Sequence, residues 1–132
     1  MADHGNYDLA VVGAGPGGYV AAIRAAQLGM KVACVEKEPR LGGVCLNLGC
    51  IPSKALLDSS EFYQLARERL AEHGIRTAGV ELDLATLMAR KERVVRELTD
   101  NVRKLLEGNQ VDGRYRTRGA DGRQPAARSI AQ

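Results

Sequence analysis

Residues 7–36 read YDLAVVGAGPGGYVAAIRAAQLGMKVACVE, and the order of residue types in this stretch decides the fold. Residues 7–13 are apolar on both alternating faces, as a buried strand of a parallel sheet would be. GAGPGG at 13–18 follows, and then YVAAIRAAQLG, a helix of small residues with Gly29 where a C-terminal cap glycine belongs. KVACVE at 31–36 reads as a second strand. Strand, glycine turn, helix and strand within so short a span form a βαβ unit, with a right-handed crossover expected. Inside the turn, Gly13 lets the chain leave the strand sharply, Gly15 lets a pyrophosphate approach the backbone, and Gly18 lets the helix pack close to the strand. Glu36 closes the second strand, 18 residues beyond Gly18. An acidic side chain there accepts hydrogen bonds from the ribose hydroxyls of an adenosine and disfavours a 2′-phosphorylated nucleotide.

Outward from this unit lies a second glycine-rich stretch, EPRLGGVCLNLGCIPSK at 38–54. Its cysteines, Cys45 and Cys50, are separated by four residues, so the motif is not a CxxC. A metal site would need further ligands, and Cys34, His4 and His73 lie at no zinc-ligand spacing; no metal is expected. Cys34 falls inside the second strand and reads as a small core hydrophobe. Cys45 and Cys50 are placed just before or within the first turn of a helix, where the helix N-terminus lowers a thiol pKa. Gly42, Gly43 and Gly49 give the backbone freedom to bring the two sulfurs together. Two unrelated buried thiols remain the alternative on spacing alone. Lys54 can stabilise negative charge on a thiolate or a reduced cofactor, or be an ordinary exposed helix lysine.

Two long helices are expected next. Leu56, Tyr63, Ala66 and Leu70 recur at near-helical spacing over 55–72, and Gly74 can end that helix. Asp83 is a plausible N-cap for a second helix to about Glu107, with a stripe of Leu84, Leu87, Met88, Val94, Val95, Leu98, Val102, Leu105 and Leu106, closed by Gly108.

The chain has 132 residues, 45% hydrophobic and 27% charged, within the range of a single globular unit. Its net charge of +3 is unevenly placed. Residues 1–112 hold 14 Lys+Arg and 15 Asp+Glu, whereas residues 113–132 hold five arginines (Arg114, Arg116, Arg118, Arg123, Arg128) and one aspartate, Asp121. The body therefore offers no electrostatic case for nucleic acid or an anionic membrane. The segment 113–132 has neither strand alternation nor a helical stripe and is expected to be a disordered tail. No apolar run is long enough to span a membrane, and residues 1–15 have no basic region followed by an apolar one, so no signal peptide is expected. Three cysteines without a secretory signal point to a reducing, cytoplasmic location.

GAGPGGYVAAIRAAQLG and VEKEPRLGGVCLNLGCIPSKALL together resemble the N-terminus of the flavoprotein disulfide oxidoreductases. CIPSKALL, and RKERVVRELTDNVRKLLEGNQV further on, look most like the dihydrolipoyl dehydrogenase branch of the class I pyridine nucleotide-disulfide family; glutathione and mercuric reductases share the two-cysteine spacing. The resemblance runs from about Tyr7 to Val111. It implies a partial Rossmann-like FAD-binding domain of α/β class, residues 5–112, in which the βαβ unit is followed by two long helices.

The resemblance further implies that Gly13, Gly15 and Gly18 receive the FAD pyrophosphate and Glu36 the adenosine ribose. Cys45 would be the thiol that exchanges with a dithiol substrate, Cys50 the thiol against the flavin, and Lys54 a neighbour of the flavin's reactive edge. The activity implied is oxidation of dihydrolipoyl groups by NAD through the cysteine pair and FAD. Its partners would be the lipoyl-bearing subunit of 2-oxoacid dehydrogenase complexes and a second copy in a homodimer. Val44 stands where the family usually has Thr, and Leu48 where it has Val. Family members are several-fold longer, and their second dinucleotide turn and interface domain have no counterpart here. Residues 113–132 therefore read as text after a truncation or frameshift, NAD use belongs to the full-length enzyme, and the chain alone is expected to be inactive. Three alternatives are a fragment that binds FAD or a nucleotide weakly without catalysis, a piece of another flavin disulfide reductase of the glutathione or mercuric reductase type, and a short form that docks on a full-length partner or on RNA through its arginines.

Overall fold

A computed structural model describes residues 6–115, 128 and 129. It is a mixed α/β arrangement built on one small sheet, as the βαβ pattern requires. Strand β1 (Leu9–Val12) leads through the glycine turn into helix α1 (Pro16–Gln27) and back to β2 (Val32–Glu36), which lies parallel to β1 with Leu9 opposite Val32 and Val12 opposite Val35. A short helix α2 (Gly43–Asn47) and a longer α3 (Cys50–Gln64) follow. The latter runs on through a π-helical turn, Leu65–Arg69, and a 3-10 turn, Leu70–His73. Helix α4 (Leu84–Gly108) returns the chain to the sheet, where β3 (Asp112–Tyr115) pairs parallel with β2 and β4 (Arg128–Ser129) pairs antiparallel with β3.

The hydrophobic core lies between β2 and the helices. Ala22 and Ala25 of α1, Val32 and Cys34 of β2, Leu41, Leu46 of α2, and Val102 and Leu106 of α4 form one cluster with Val111. Alanines on α1 allow that helix to sit close to the sheet. Cys34 is fully buried, and burial together with the nearby Glu36 charge pushes its thiol pKa up. This is the inert core cysteine that its strand position predicts.

Four local features differ from the sequence reading. The first strand was expected to be buried on both faces, yet β1 alternates between half-buried and exposed residues. The reason is its place in the sheet: the order is β1-β2-β3-β4, so among the described residues β1 has a neighbour on one side only. Central β2 is the strand that is buried throughout or nearly so. The helix expected from residue 55 begins at Cys50 instead, with Pro52 in its first turn, where a missing N–H costs nothing. The stripe on α4 is divided: Val95, Val102 and Leu106 are buried, whereas Leu84, Met88, Leu98 and Leu105 are exposed. Finally, the paired segment crosses the boundary expected at 112/113. DGRY has neither alternation nor high strand propensity, and it is the ladder with β2 that makes it a strand. Of the segment 113–132, residues 113–115, 128 and 129 are paired in the sheet, and the expectation of disorder for 116–127 and 130–132 lies outside the described residues.

Gly29, with φ of +87°, adopts the left-handed conformation at the end of α1. The N–H groups of Gly29 and Met30 return to the carbonyls of Ala26 and Ala25. Asp83 caps α4: its carboxylate accepts from the Thr86 N–H at 3.0 Å and from the Thr86 hydroxyl at 2.6 Å. Both boundaries match the sequence reading.

Candidate active site

The site begins at the carboxyl end of β1. Gly13 has φ of +97°, a value a side chain would strain, so the chain can turn at once into α1. A Cβ at Gly18 would stand 1.8 Å from the Gly13 carbonyl oxygen, so only glycine lets α1 start this close to the strand. Pro16 at the first helical position lacks an N–H, and the Tyr19 N–H is bonded to the Gly15 carbonyl at 3.0 Å. The amides of Gly17 and Gly18 belong to the first turn, whose N–H groups have no intrahelical acceptor. This is the cradle that a pyrophosphate needs: first-turn donors, no side chains and the positive end of a twelve-residue helix. The residues present fit a dinucleotide.

Glu36 is placed at the end of β2 beside that turn, and it is nearly buried. One carboxylate oxygen accepts from the Ala14 N–H at 2.7 Å. The other accepts from the N–H groups of Lys37 at 2.7 Å and Glu38 at 3.1 Å. Glu36 thus has a role that sequence reasoning missed: it holds the glycine turn against β2. Both carboxylate oxygens are thus engaged by backbone N–H groups.

The second glycine-rich stretch joins the same turn. The Gly42 N–H donates to the Ala14 carbonyl at 2.8 Å. A Cβ at Gly43, where φ is +61°, would lie 2.9 Å from the Gly15 Cα. The Ala14 peptide is therefore held on both sides, by Glu36 through its N–H and by Gly42 through its carbonyl. The doublet Gly42–Gly43 reads in sequence as loop flexibility, whereas the fold uses it for close backbone contact.

Cys45 sits in the middle of α2 and is half-buried; Cys50 is the first residue of α3 and is exposed. Both are free thiols, and their side chains are hydrogen-bonded. The expectation of a lowered pKa fails for Cys45. The hydrogen bond to Cys50 pushes its thiol above the ordinary cysteine value, with burial and the neighbouring sulfur acting the same way. The Cys50 N–H and the charge of Lys54 pull in the opposite direction without prevailing. Cys45 does lie in the first turn of α2, and there the bond to Cys50 outweighs the charge of Lys54. Lys54, one turn along α3 from Cys50, is exposed. Val44 and Leu48, the two departures from the family pattern, are also exposed, at 71% and 81%.

Helix α3 is tied to α4 by Arg90. Its guanidinium donates to the Ala55 carbonyl at 3.0 Å, to the Ser59 hydroxyl at 3.2 Å and to Asp58 at 2.6 Å. No sequence pattern distinguishes this arginine from its neighbours on the same helix.

A phosphate turn and a paired-thiol loop locked to each other are what a flavin disulfide oxidoreductase needs. A family model described as pyridine nucleotide-disulphide oxidoreductase matches residues 7–124. The chain belongs to that family. Among curated relatives, it is 54% identical over 105 residues to a leghemoglobin reductase of Vigna unguiculata, covering 80% of this chain and 20% of the relative. It is 53% identical over 104 residues to the mitochondrial dihydrolipoyl dehydrogenase of Pisum sativum, covering 79% and 21%. A dihydrolipoyl dehydrogenase of Manduca sexta is 54% identical over 104 residues, again covering 79% and 21%. The chain thus spans about a fifth of the length of these relatives. The cytoplasmic location drawn from cysteine usage is overturned. The pea, Arabidopsis thaliana and Dictyostelium discoideum relatives are mitochondrial by name, and a reducing compartment does not distinguish cytosol from organelle matrix.

Proposed function

We propose that these 132 residues are the FAD-binding and redox-disulfide segment of a dihydrolipoyl dehydrogenase. The observation that carries the reading is the joining of the two motifs: Cys45 and Cys50 are in contact, and their loop is hydrogen-bonded to the glycine turn through Gly42 and Ala14. In this reading Gly13, Gly15 and Gly18 admit the FAD pyrophosphate and Glu36 meets the adenosine ribose. Cys45 exchanges with the dithiol, Cys50 faces the flavin and Lys54 lies beside it. The dithiol of a lipoyl group reduces the Cys45–Cys50 disulfide, forming one disulfide and two thiols with conservation of two electrons and two protons. Bound FAD supplies two-electron transfer from the pair to NAD. The NAD step, the lipoyl-bearing partner of a 2-oxoacid dehydrogenase complex and the homodimer belong to the longer protein. One dinucleotide turn is present in these residues, and the 132-residue chain alone therefore forms no NADH from dihydrolipoamide.

Two measurements test this. FAD added to the chain should co-elute with it on a sizing column, and dihydrolipoamide should convert the oxidised Cys45–Cys50 pair to two free thiols. Co-elution without thiol exchange would reduce the segment to a nucleotide-binding fragment. NADH formation by the isolated chain would refute its proposed inactivity.

A further inference from the structure

We infer that Asn47 is the positioning residue of the redox loop, the group that fixes Cys45 relative to both Cys50 and the phosphate turn; this rests on the paired-thiol reading above. Helix α2 is five residues long and has no side-chain cap at its N-terminus. A single turn of helix is not stable on its own, because nucleation fixes several dihedrals for one hydrogen bond. The Asn47 amide closes this turn. Its Nδ2 donates to the Gly43 carbonyl at 2.9 Å, at the first residue of α2, and to the Leu41 carbonyl at 3.0 Å, two residues before it. The segment so closed contains Gly42, which donates to Ala14, and Gly43, whose backbone lies against that of Gly15. Cys45 lies inside the same closed turn. One amide therefore gathers the residues that touch the nucleotide turn and the residue that carries the first thiol.

The other end of the amide strengthens the argument. Asn47 Oδ1 is buried and has no hydrogen-bond partner among the described residues. A buried unsatisfied acceptor is destabilising, and such groups are rare in folded chains. The amide cannot be turned over to relieve it, because Oδ1 would then face two carbonyl oxygens. The two donations thus outweigh the orphaned acceptor, and an apolar residue of similar size would avoid that cost only by releasing the loop.

The test is the thiol–disulfide equilibrium of the 132-residue chain against glutathione. Oxidised glutathione takes two electrons from the Cys45 and Cys50 thiols, giving the intramolecular disulfide and two reduced glutathiones. Asn47→Asp keeps the shape and removes both donors, and Asn47→Ala removes the side chain. Each should lower the equilibrium constant for disulfide formation roughly tenfold, the value of two modest hydrogen bonds. Asn109→Ala is the control: the Asn109 amide donates to the Leu105 carbonyl at 2.7 Å, at the far end of α4. That variant loses a comparable bond and should leave the equilibrium unchanged. If both Asn47 variants match the unsubstituted chain, or if Asn109→Ala shifts the equilibrium as far as they do, the positioning role is wrong. If the unsubstituted chain forms no intramolecular disulfide, the paired-thiol reading fails and this inference with it.

Discussion

At Cys45 the hydrogen bond to Cys50 opposes the charge of Lys54, and the bond prevails. Removing the bond therefore has a definite sign. In Cys50→Ala the largest raising influence is gone while Lys54 stays, so the Cys45 pKa falls and more thiolate is present at neutral pH. Alkylation of Cys45 by iodoacetamide should speed up in Cys50→Ala and slow down in Lys54→Ala; equal rates in all three proteins would mean that the two side chains do not govern the thiol. Glycine positions separate just as clearly. Gly18→Ala puts a methyl group 1.8 Å from the Gly13 carbonyl oxygen, and backbone must move. A cost of about 3 kcal/mol in denaturant unfolding is expected for forcing an atom into so tight a contact. Gly17 meets nothing within 4 Å, so Gly17→Ala should be neutral or stabilising by up to about 1 kcal/mol, as alanine is the better helix former. Sequence showed Gly18 to be special because it completes a known spacing. It was silent on Asn47 and Arg90, whose importance comes from carbonyls that only the folded chain brings to them.

Among the elements, α4 was the most legible, for it combines a cap, a long apolar stripe and a closing glycine. Its capping aspartate carries a pH dependence. Asp83 is held below the ordinary aspartate range, first by the Thr86 hydroxyl and then by the Thr86 N–H, which both donate to the ionised carboxylate. A pKa lowered in the folded state makes the contribution complete above the unfolded value, about 4, and removes it as pH falls through the lower folded value. Protection of the first-turn amides of α4 against hydrogen exchange should thus fade on acidification. Asp83→Ala should lack both the protection and its pH dependence, whereas Asp83→Asn should keep the protection and lose the dependence; persistence of the dependence in Asp83→Asn would assign it to another group. The start of α3 was less legible. Ile51, Pro52 and Ser53 belong to the glycine-rich stretch that precedes the helix expected from residue 55, yet the first turn of a helix tolerates proline, and Cys50 becomes the residue at which that helix begins. Strand β3 was illegible for a different reason: DGRY has no pattern of its own and is made a strand by Ala33, Cys34 and Val35 of β2.

For the molecule as a whole, the edge of the sheet decides the behaviour. Strand β1 is paired with β2 on one side, and its other row of backbone N–H and C=O groups has no strand beside it among the described residues. Val12, at the end of that strand, is 86% exposed, and Phe62 of α3 is 67% exposed. The apolar pattern of residues 7–13 reads as a strand with neighbours on both sides, while the described fold supplies one. An open apolar edge strand is a template for pairing with another chain. The 132-residue chain should therefore self-associate, with an apparent mass in sedimentation velocity that rises with concentration. Val12→Lys places a charge on that edge and removes no buried contact, so its unfolding free energy should stay within about 0.5 kcal/mol of the unsubstituted chain. The same substitution should shift sedimentation toward the monomer. If Val12→Lys sediments as the unsubstituted chain does, association runs through another surface, such as the exposed α3 and α4 side chains, and the β1 edge is not the site at which this chain meets its next partner strand.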